Sequence, residues 1–265
     1  MPCRLSVVVQ TPAHSGLTGP LTYLSEQSLP SGTLVRVPLG TRETLGLVWE
    51  TPDQTALDHT TSTSPNYEAR YILGTLANPE LLPPLSTKWC QLVSFAARYY
   101  QRSLGEVALA ALPPQLRELD EAQMARRLAR KKTAPFQTQS TPGEPSHPPL
   151  KLSEEQHGVL QAIEQSPGPF LLFGATGSGK TEVYLQSVHH LLAQDPLAQV
   201  LVMVPEINLT PQLEQRFRER FEATWGQQAV VSLHSGMTPA QRLKAWLAAH
   251  TGLARVGLGT SMAIF

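Results

Sequence analysis

Apolar and polar positions alternate in two different rhythms along this chain. Between Arg4 and about Glu50 the apolar residues come in short runs: Leu5-Ser6-Val7-Val8-Val9, Leu34-Val35-Arg36-Val37 and Leu45-Gly46-Leu47-Val48-Trp49. Gly16, Gly19, Pro20, Pro30, Gly32 and Gly40 interrupt them, which is the punctuation of a small β-barrel or sandwich. After Pro83-Pro84 the period changes. Leu92, Phe95, Ala96 and Tyr99 have helical spacing and predict an amphipathic helix ending near Leu104-Gly105. Beyond Lys151 the apolar runs 170–173, 200–204, 230–233 and 256–258 predict buried strands, and the helical patterns 182–192, 210–221 and 240–249 fall between them. Strand–helix alternation of this kind builds βαβ units around a parallel sheet, so the fold class is α/β behind a β-rich N-terminal region.

Two segments lack a core pattern. Residues 58–66 are rich in Thr and Ser and read as a loop; residues 133–150 hold Pro135, Pro142, Pro145, Pro148 and Pro149 and read as a semi-extended linker. Before that linker, Arg126, Arg127, Arg130, Lys131 and Lys132 crowd a predicted helix end. The helix dipole favours cations there, and a nucleic-acid contact is the other reading. The expected domains are therefore a β-rich domain over 1–116, a charged and Pro-rich linker over 117–150, and a partial nucleotide-binding lobe over 151–265.

Composition narrows the function classes. With 265 residues, 41% hydrophobic and 16% charged, the chain has ample material for packed cores. Its 21 Lys+Arg balance 21 Asp+Glu, which argues against a tail-driven polyanion binder but leaves room for a local basic groove. Cys3 and Cys90 can build neither a disulfide framework nor a four-cysteine zinc site. The run Val7-Val8-Val9 is too short for a signal-peptide core, and no apolar stretch approaches the roughly 20 residues needed to span a bilayer. A cytoplasmic location with no membrane contact is the expectation.

The strongest chemical signal is Gly174-Ala175-Thr176-Gly177-Ser178-Gly179-Lys180-Thr181, which fits G-x-x-x-x-G-K-[ST] at every fixed position. It follows a predicted strand and opens a predicted helix, as the chemistry requires. Glycines let the backbone turn tightly so that successive N–H groups point at phosphate oxygens, and the helix N-terminus adds partial positive charge. Lys180 supplies a mobile ammonium, and the Thr181 hydroxyl can ligate the Mg²⁺ that accompanies a nucleoside triphosphate. Hydrolysis further requires an acidic strand end. The nearest candidate, Val200–Val204 followed by Pro205-Glu206, is the adjacent element rather than a plausible Mg²⁺ strand, and after Glu222 the chain has no Asp or Glu.

The residues around the loop carry a resemblance. Thr176-Gly177-Ser178-Gly179-Lys180-Thr181-Glu182-Val183-Tyr184-Leu185 resembles the first helicase motif of the primosomal replication-restart helicases, the PriA family. Val204-Pro205-Glu206-Ile207-Asn208-Leu209-Thr210-Pro211-Gln212 is similar to that family's next motif, and Leu233-His234-Ser235-Gly236 with Arg242-Leu243 and Trp246-Leu247 to its third strand and helix. Gly257-Leu258-Gly259-Thr260 with Ala263-Ile264-Phe265 resembles the stretch before its Asp-Glu-Glu-His motif. In the N-terminal region, Leu34–Leu39 with Gly40, Leu45-Gly46-Leu47-Val48, Ala97-Arg98-Tyr99-Tyr100 and Leu104-Gly105-Glu106-Val107 resemble the domain that captures the 3′ end of a nascent DNA strand.

The resemblance implies an incomplete RecA-like phosphate-loop lobe behind a small barrel-like DNA-binding domain. It implies an ATP-dependent 3′→5′ DNA helicase of replication restart and primosome assembly, here as a truncated chain that binds ATP and DNA without hydrolysing ATP alone. A stand-alone DNA-binding module with a vestigial ATP site is the alternative. The implied nucleotide contacts are Gln156 on the adenine side and Gly174, Thr176, Gly177, Ser178, Gly179, Lys180 and Thr181 on the phosphates, with Thr181 on Mg²⁺ and with Lys180 and Thr181 as the catalytic pair. The implied DNA contacts are Tyr23, Gly40, Arg70, Thr210 and Thr260. The implied partners are forked and single-stranded DNA, the nascent 3′ end, primosome proteins and single-stranded DNA-binding proteins. The family's acidic Mg²⁺ motif, second lobe and zinc-binding cysteines are expected only beyond residue 265. Three departures stand out. Leu21-Thr22-Tyr23 replaces the family's Phe-Asp-Tyr, Ser261 replaces an Arg, and residues 119–151 are too few for its winged-helix domain.

Overall fold

The structure is a computed structural model that describes residues 2–11, 19–49, 69–132, 152–205 and 210–264. The expected loop over 58–66, the Pro-rich linker and the segment Glu206-Ile207-Asn208-Leu209 lie outside the described residues. The chain divides into two compact units, with the main break between Pro135 and Phe136.

The first unit is a curled antiparallel sheet. Its strands are β1 (Cys3–Val9), β2 (Leu21–Ser25), β3 (Leu34–Leu39), β4 (Arg42–Val48) and β5 (Gly74–Thr75), in the order β2-β1-β4-β3-β5. Alternation explains the curl's interior: Leu5, Val7, Val9, Tyr23, Val35, Val37 and Val48 point into one apolar cluster. The strap just before β5 ties the two sheet edges together. Leu24 N–H donates to Arg70 O and Ile72 N–H to Leu24 O on the β2 edge, while Leu73 N–H donates to Arg36 O on β3, the strand that β5 goes on to pair with (2.9, 2.9 and 2.8 Å). Each edge thus gains backbone partners, as a closed or half-closed barrel requires.

Three helices complete this unit: α1 (Thr87–Tyr99), α2 (Leu104–Ala111) and α3 (Glu121–Lys132). The single helix predicted to end near Leu104-Gly105 is in fact two. Gln101 takes a left-handed φ of 52°, which stops α1. Ser103 then accepts a hydrogen bond from Glu106 N–H at 3.3 Å and caps the start of α2. Leu104-Gly105 opens a helix rather than closing one. Helix α1 also turns a different face inward from the expected one: Cys90, Val93, Ala96 and Ala97 are buried, and Phe95 and Tyr99 are exposed.

Gly105 sets the approach of α2 to β1. A methyl group there would overlap the Val9 carbonyl oxygen and lie 2.7 Å from its carbon. Because the obstacle is backbone, it cannot rotate away. Gly105→Ala is expected to lift α2 off the strand at a cost of about 1–3 kcal/mol, measured as a fall of several degrees in the unfolding midpoint of this unit. An unchanged midpoint would show that the helix is held elsewhere. On the opposite side, Arg36 from β3 donates to the carbonyls of Leu116 and Arg117 (3.3 and 2.7 Å) and to that of Leu119, anchoring the 3-10 turn Pro114–Arg117 to the sheet.

The second unit is a three-stranded parallel sheet in the order β6-β8-β7, from β6 (Val200–Met203), β7 (Val230–Leu233) and β8 (Val256–Gly259). Around it are α4 (Glu154–Gln165), α5 (Lys180–Gln194), α6 (Pro211–Trp225) and α7 (Pro239–His250). Helices α5 and α6 cover one face, where Leu185, Val188, Leu192, Phe217 and Phe221 pack on Val230, Val256 and Leu258. Helix α7 covers the other, where Ala245 and Ala248 pack with Val231 and Ala254.

The sequence-predicted strand over 170–173 does not join this sheet. Leu171 and Phe173 are 91% and 92% exposed, and among the described residues no strand pairs with them. An apolar run records what a segment would gain by burial, not whether a partner strand lies beside it. Strand β6, at one edge of the sheet, is uncovered in the same way, with Leu201 and Met203 exposed.

Candidate nucleotide and nucleic-acid sites

Residues 174–179 form the turn that delivers the chain into α5. Gly177 and Gly179 have φ of 85° and 79°, a region that residues with a Cβ rarely enter, and Gly179 is the N-cap of the helix. A methyl group at Gly179 would also overlap the Gln156 amide nitrogen. At Gly174 it would lie 2.7 Å from the Ser178 hydroxyl. The loop is therefore tight where it must place N–H groups around an anion, and the first turn of α5 supplies further donors.

Lys180 folds back over this loop. Its Nζ donates to Gly174 O and Ala175 O, each at 2.6 Å. These are neutral acceptors, weaker than a phosphate oxygen for an ammonium group. Thr181 stands beside it, and its Oγ1 accepts a hydrogen bond from the Tyr184 hydroxyl at 3.2 Å. Gln156 arrives from α4, where it closes a capping box: its N–H donates to Ser153 Oγ (3.2 Å), its Oε1 accepts from Ser153 N–H (2.9 Å), and its Nε2 reaches Gly179 O at 3.4 Å. A cavity of about 600 Å³ opens here, lined by Gln156, Thr176, Gly177, Gly179, Lys180 and Thr181 among others. That volume suits a nucleotide.

One group at this site was not foreseen from the sequence. Glu182, the residue after Thr181, is 7% exposed. Its carboxylate accepts from Gln186 Nε2 at 3.0 Å and faces Arg220 at 3.5 Å and Arg216 at 4.0 Å, and Arg216 also lines the cavity. The usable signal was the pair Arg216 and Arg220, four residues apart and so on one face of α6.

The implied DNA contacts separate into two kinds. Arg70 is exposed and donates from Nη1 to Gly40 O at 3.0 Å, so two residues thirty apart in sequence meet at one turn. Gly40 has φ of 63°, and the space above it is open. Tyr23, one of the implied DNA contacts, does not offer its ring to a ligand at the surface. It points inward from β2, is 4% exposed, and donates its hydroxyl to Pro38 O at 2.9 Å. Burial pushes that hydroxyl's pKa up, and the nearby Arg70 charge pulls it partly back. Thr210 is exposed and caps α6 by accepting from Leu213 N–H at 3.3 Å. Thr260 is 4% exposed, just past β8, with its N–H bonded to Leu233 O, so its side chain is not a surface donor.

Among the described residues no group of three or more His, Cys, Asp and Glu is placed to hold a metal ion, and no helix is long and apolar enough to cross a membrane.

A phosphate loop opening α5 in the same unit as a parallel sheet defines the class of phosphate-loop nucleotide-binding proteins, and the helicase group within it comes from comparison. Comparison with known families agrees: residues 153–264 match the DEAD/DEAH box helicase profile, and residues 6–113 match the 3′ DNA-binding domain of PriA. The chain is 29% identical to the replication restart protein PriA of Haemophilus influenzae over 90% of its own length and 39% of that relative's. Against PriA of Helicobacter pylori strain J99 the identity is 30% over 94% of this chain and 33% of the relative; against that of Bacillus subtilis it is 41% over 44% and 14%. The chain belongs to the PriA family and corresponds to its N-terminal portion. It spans between a third and two fifths of the length of the Helicobacter and Haemophilus relatives.

Proposed function

We propose that these residues form the nucleotide-holding and DNA-gripping portion of an ATP-dependent replication-restart helicase. The observation that carries the reading is the loop 174–181 itself: left-handed Gly177 and Gly179, Lys180 poised on weak acceptors, and Gln156 seated against Gly179, all around one cavity. Lys180 would exchange its two carbonyl acceptors for β- and γ-phosphate oxygens, the Thr181 hydroxyl would ligate Mg²⁺, and Gln156 would face the base. Bound Mg²⁺ would neutralise part of the triphosphate charge. Gly174, Thr176, Gly177, Ser178 and Gly179 would supply the backbone cradle.

On the DNA side, Arg70 and the open turn at Gly40 would take the last phosphodiester before a 3′ hydroxyl end, and Tyr23 would act from behind by fixing β2 against Pro38. Thr210 at the α6 N-terminus, and the backbone near Thr260, would meet the phosphodiester chain. Unwinding in the 3′→5′ direction, forked DNA, primosome proteins, single-stranded DNA-binding proteins and a cytoplasmic setting belong to this proposal through the family. Domain limits of 1–116, 117–150 and 151–265 serve as its working division.

These 265 residues carry no Asp or Glu after Glu222, on the strands where an acid would position water, so a polypeptide of this sequence is expected to bind ATP without turning it over. Phosphate release in the presence of single-stranded DNA checks this. Turnover that disappears in Lys180→Ala would overturn it.

A further inference from the structure

Helix α6 carries three arginines and three glutamates, and its fold pairs them unequally. Arg218 is held between Glu214 and Glu222, 2.7 Å from each, and Glu219 accepts from Gln215 Nε2 at 2.8 Å. Arg216 and Arg220 lie one turn apart on the face toward α5, where both meet the carboxylate of Glu182. One carboxylate there serves two guanidinium groups. The cluster keeps a surplus positive charge beside the residues that follow the phosphate loop, and a surplus of that sign attracts an anion.

The two arginines are not equivalent. The Arg220 side chain is 17% exposed and stands 3.5 Å from Glu182 Oε1. The Arg216 side chain is 51% exposed, stands 4.0 Å from Oε2, and lines the cavity shared by Lys180 and Thr181. A contact that long and that solvated contributes little. Arg216 can therefore leave Glu182 at small cost, while Arg220 stays to compensate the buried carboxylate. A planar guanidinium at the wall of such a cavity matches phosphate oxygens in a fork, as a lysine cannot.

We propose that Arg216 is a phosphate contact of the nucleotide site. When a nucleoside triphosphate binds, Arg216 exchanges Glu182 for phosphate oxygens, and Glu182 remains neutralised by Arg220. The site thereby gains a second full cation besides Lys180, delivered from a helix outside the phosphate loop. This role depends on the nucleotide reading of residues 174–181 and adds a residue that the loop motif does not contain.

The test titrates the full chain with ATP–Mg²⁺ in wild type, Arg216→Gln, Arg216→Lys and Lys180→Ala. Adenosine, measured as a competitor of a fluorescent ATP analogue, and single-stranded oligothymidine are the comparison ligands. Both Arg216 variants should keep the wild-type circular dichroism and unfolding midpoint, because a half-exposed side chain is replaced and Glu182 keeps Arg220. The expected result is ATP affinity about tenfold lower in Arg216→Gln, with a smaller loss in Arg216→Lys, which keeps the charge without the fork. Adenosine has no phosphate and should compete equally well in wild type and Arg216→Gln. Wild-type ATP affinity in Arg216→Gln would overturn the assignment. An equal loss for ATP and adenosine would also overturn it, marking a change in cavity shape. Weaker oligothymidine binding with ATP binding unchanged would overturn it as well, marking a DNA contact instead. Lys180→Ala separates the two readings. If it loses ATP while Arg216→Gln keeps it, the nucleotide site stands and Arg216 lies outside it. If wild type binds ATP no better than Lys180→Ala, the nucleotide reading fails and the role of Arg216 falls with it.

Discussion

Replacing Lys180 with alanine is expected to lower the affinity of the chain for ATP–Mg²⁺ at least a hundredfold, read by titration with a fluorescent ATP analogue. Lys180 Nζ already sits above the loop, making two 2.6 Å bonds to Gly174 O and Ala175 O. Triphosphate oxygens would replace those neutral acceptors with charged ones. Charge-assisted hydrogen bonds contribute about 1.5–3 kcal/mol each, so losing two corresponds to roughly 3 kcal/mol or more, which is a factor of a hundred or greater. Within the loop and at the α5 N-terminus, the remaining donors contribute only partial charges. The variant should unfold at the wild-type midpoint, because the lysine is not part of either core cluster. Equal and poor binding by both proteins would instead favour a DNA-binding module whose ATP site is vestigial.

The second large effect is structural and falls at Arg255. This arginine is 7% exposed and precedes β8. Its Nε donates to Ala198 O at 2.6 Å, and its Nη2 donates to Asp195 O at 2.8 Å and Leu192 O at 3.4 Å. One guanidinium thereby joins the C-terminal end of α5 to the turn leading to β6, where Asp195 O also accepts from Ala198 N–H at 3.1 Å. Arg255→Met keeps much of the stem's packing but removes three hydrogen bonds from a charged donor, one of them buried, at about 1 kcal/mol or more each. Urea unfolding of the second unit should lose about 3 kcal/mol or more. ATP affinity measured on the folded variant should stay near wild type, because the substitution lies at the far end of α5 from Lys180. A midpoint unchanged by Arg255→Met would mean that water satisfies those carbonyls.

Much of the second unit could be read directly from the chain. The runs 200–204, 230–233 and 256–258 become strands within one residue of their expected limits, and the three helical patterns between and after the loop become α5, α6 and α7. These elements are legible because each carries its own periodicity and its own partner within the described chain. The run 170–173 has the same apolar signature and no partner, which periodicity cannot register. In the first unit β2 escaped the pattern. Leu21-Thr22-Tyr23-Leu24-Ser25 has two polar residues in five, and it becomes a strand because β1 offers it a full register from Cys3↔Ser25 to Val7↔Leu21.

The candidate sites divide along the same line. The phosphate loop is a local motif, so its residues arrive together. Tyr23 depends on which way β2 faces, a one-residue matter of register that places its ring in the core rather than on the surface. Thr260 depends on the packing beyond β8. Glu182 depends on α6 crossing near α5 with two arginines turned toward it. In each case the missing information is tertiary, and no spacing within the chain encodes it.

Amide hydrogen exchange on the wild-type chain, with and without ATP–Mg²⁺, tests the central claim most directly. The account predicts strong slowing across residues 174–182 and at the start of α4 around Gln156, with little change in the first unit. Exchange unchanged over the loop, or protection confined to other segments, would contradict the assignment of this loop as the nucleotide site.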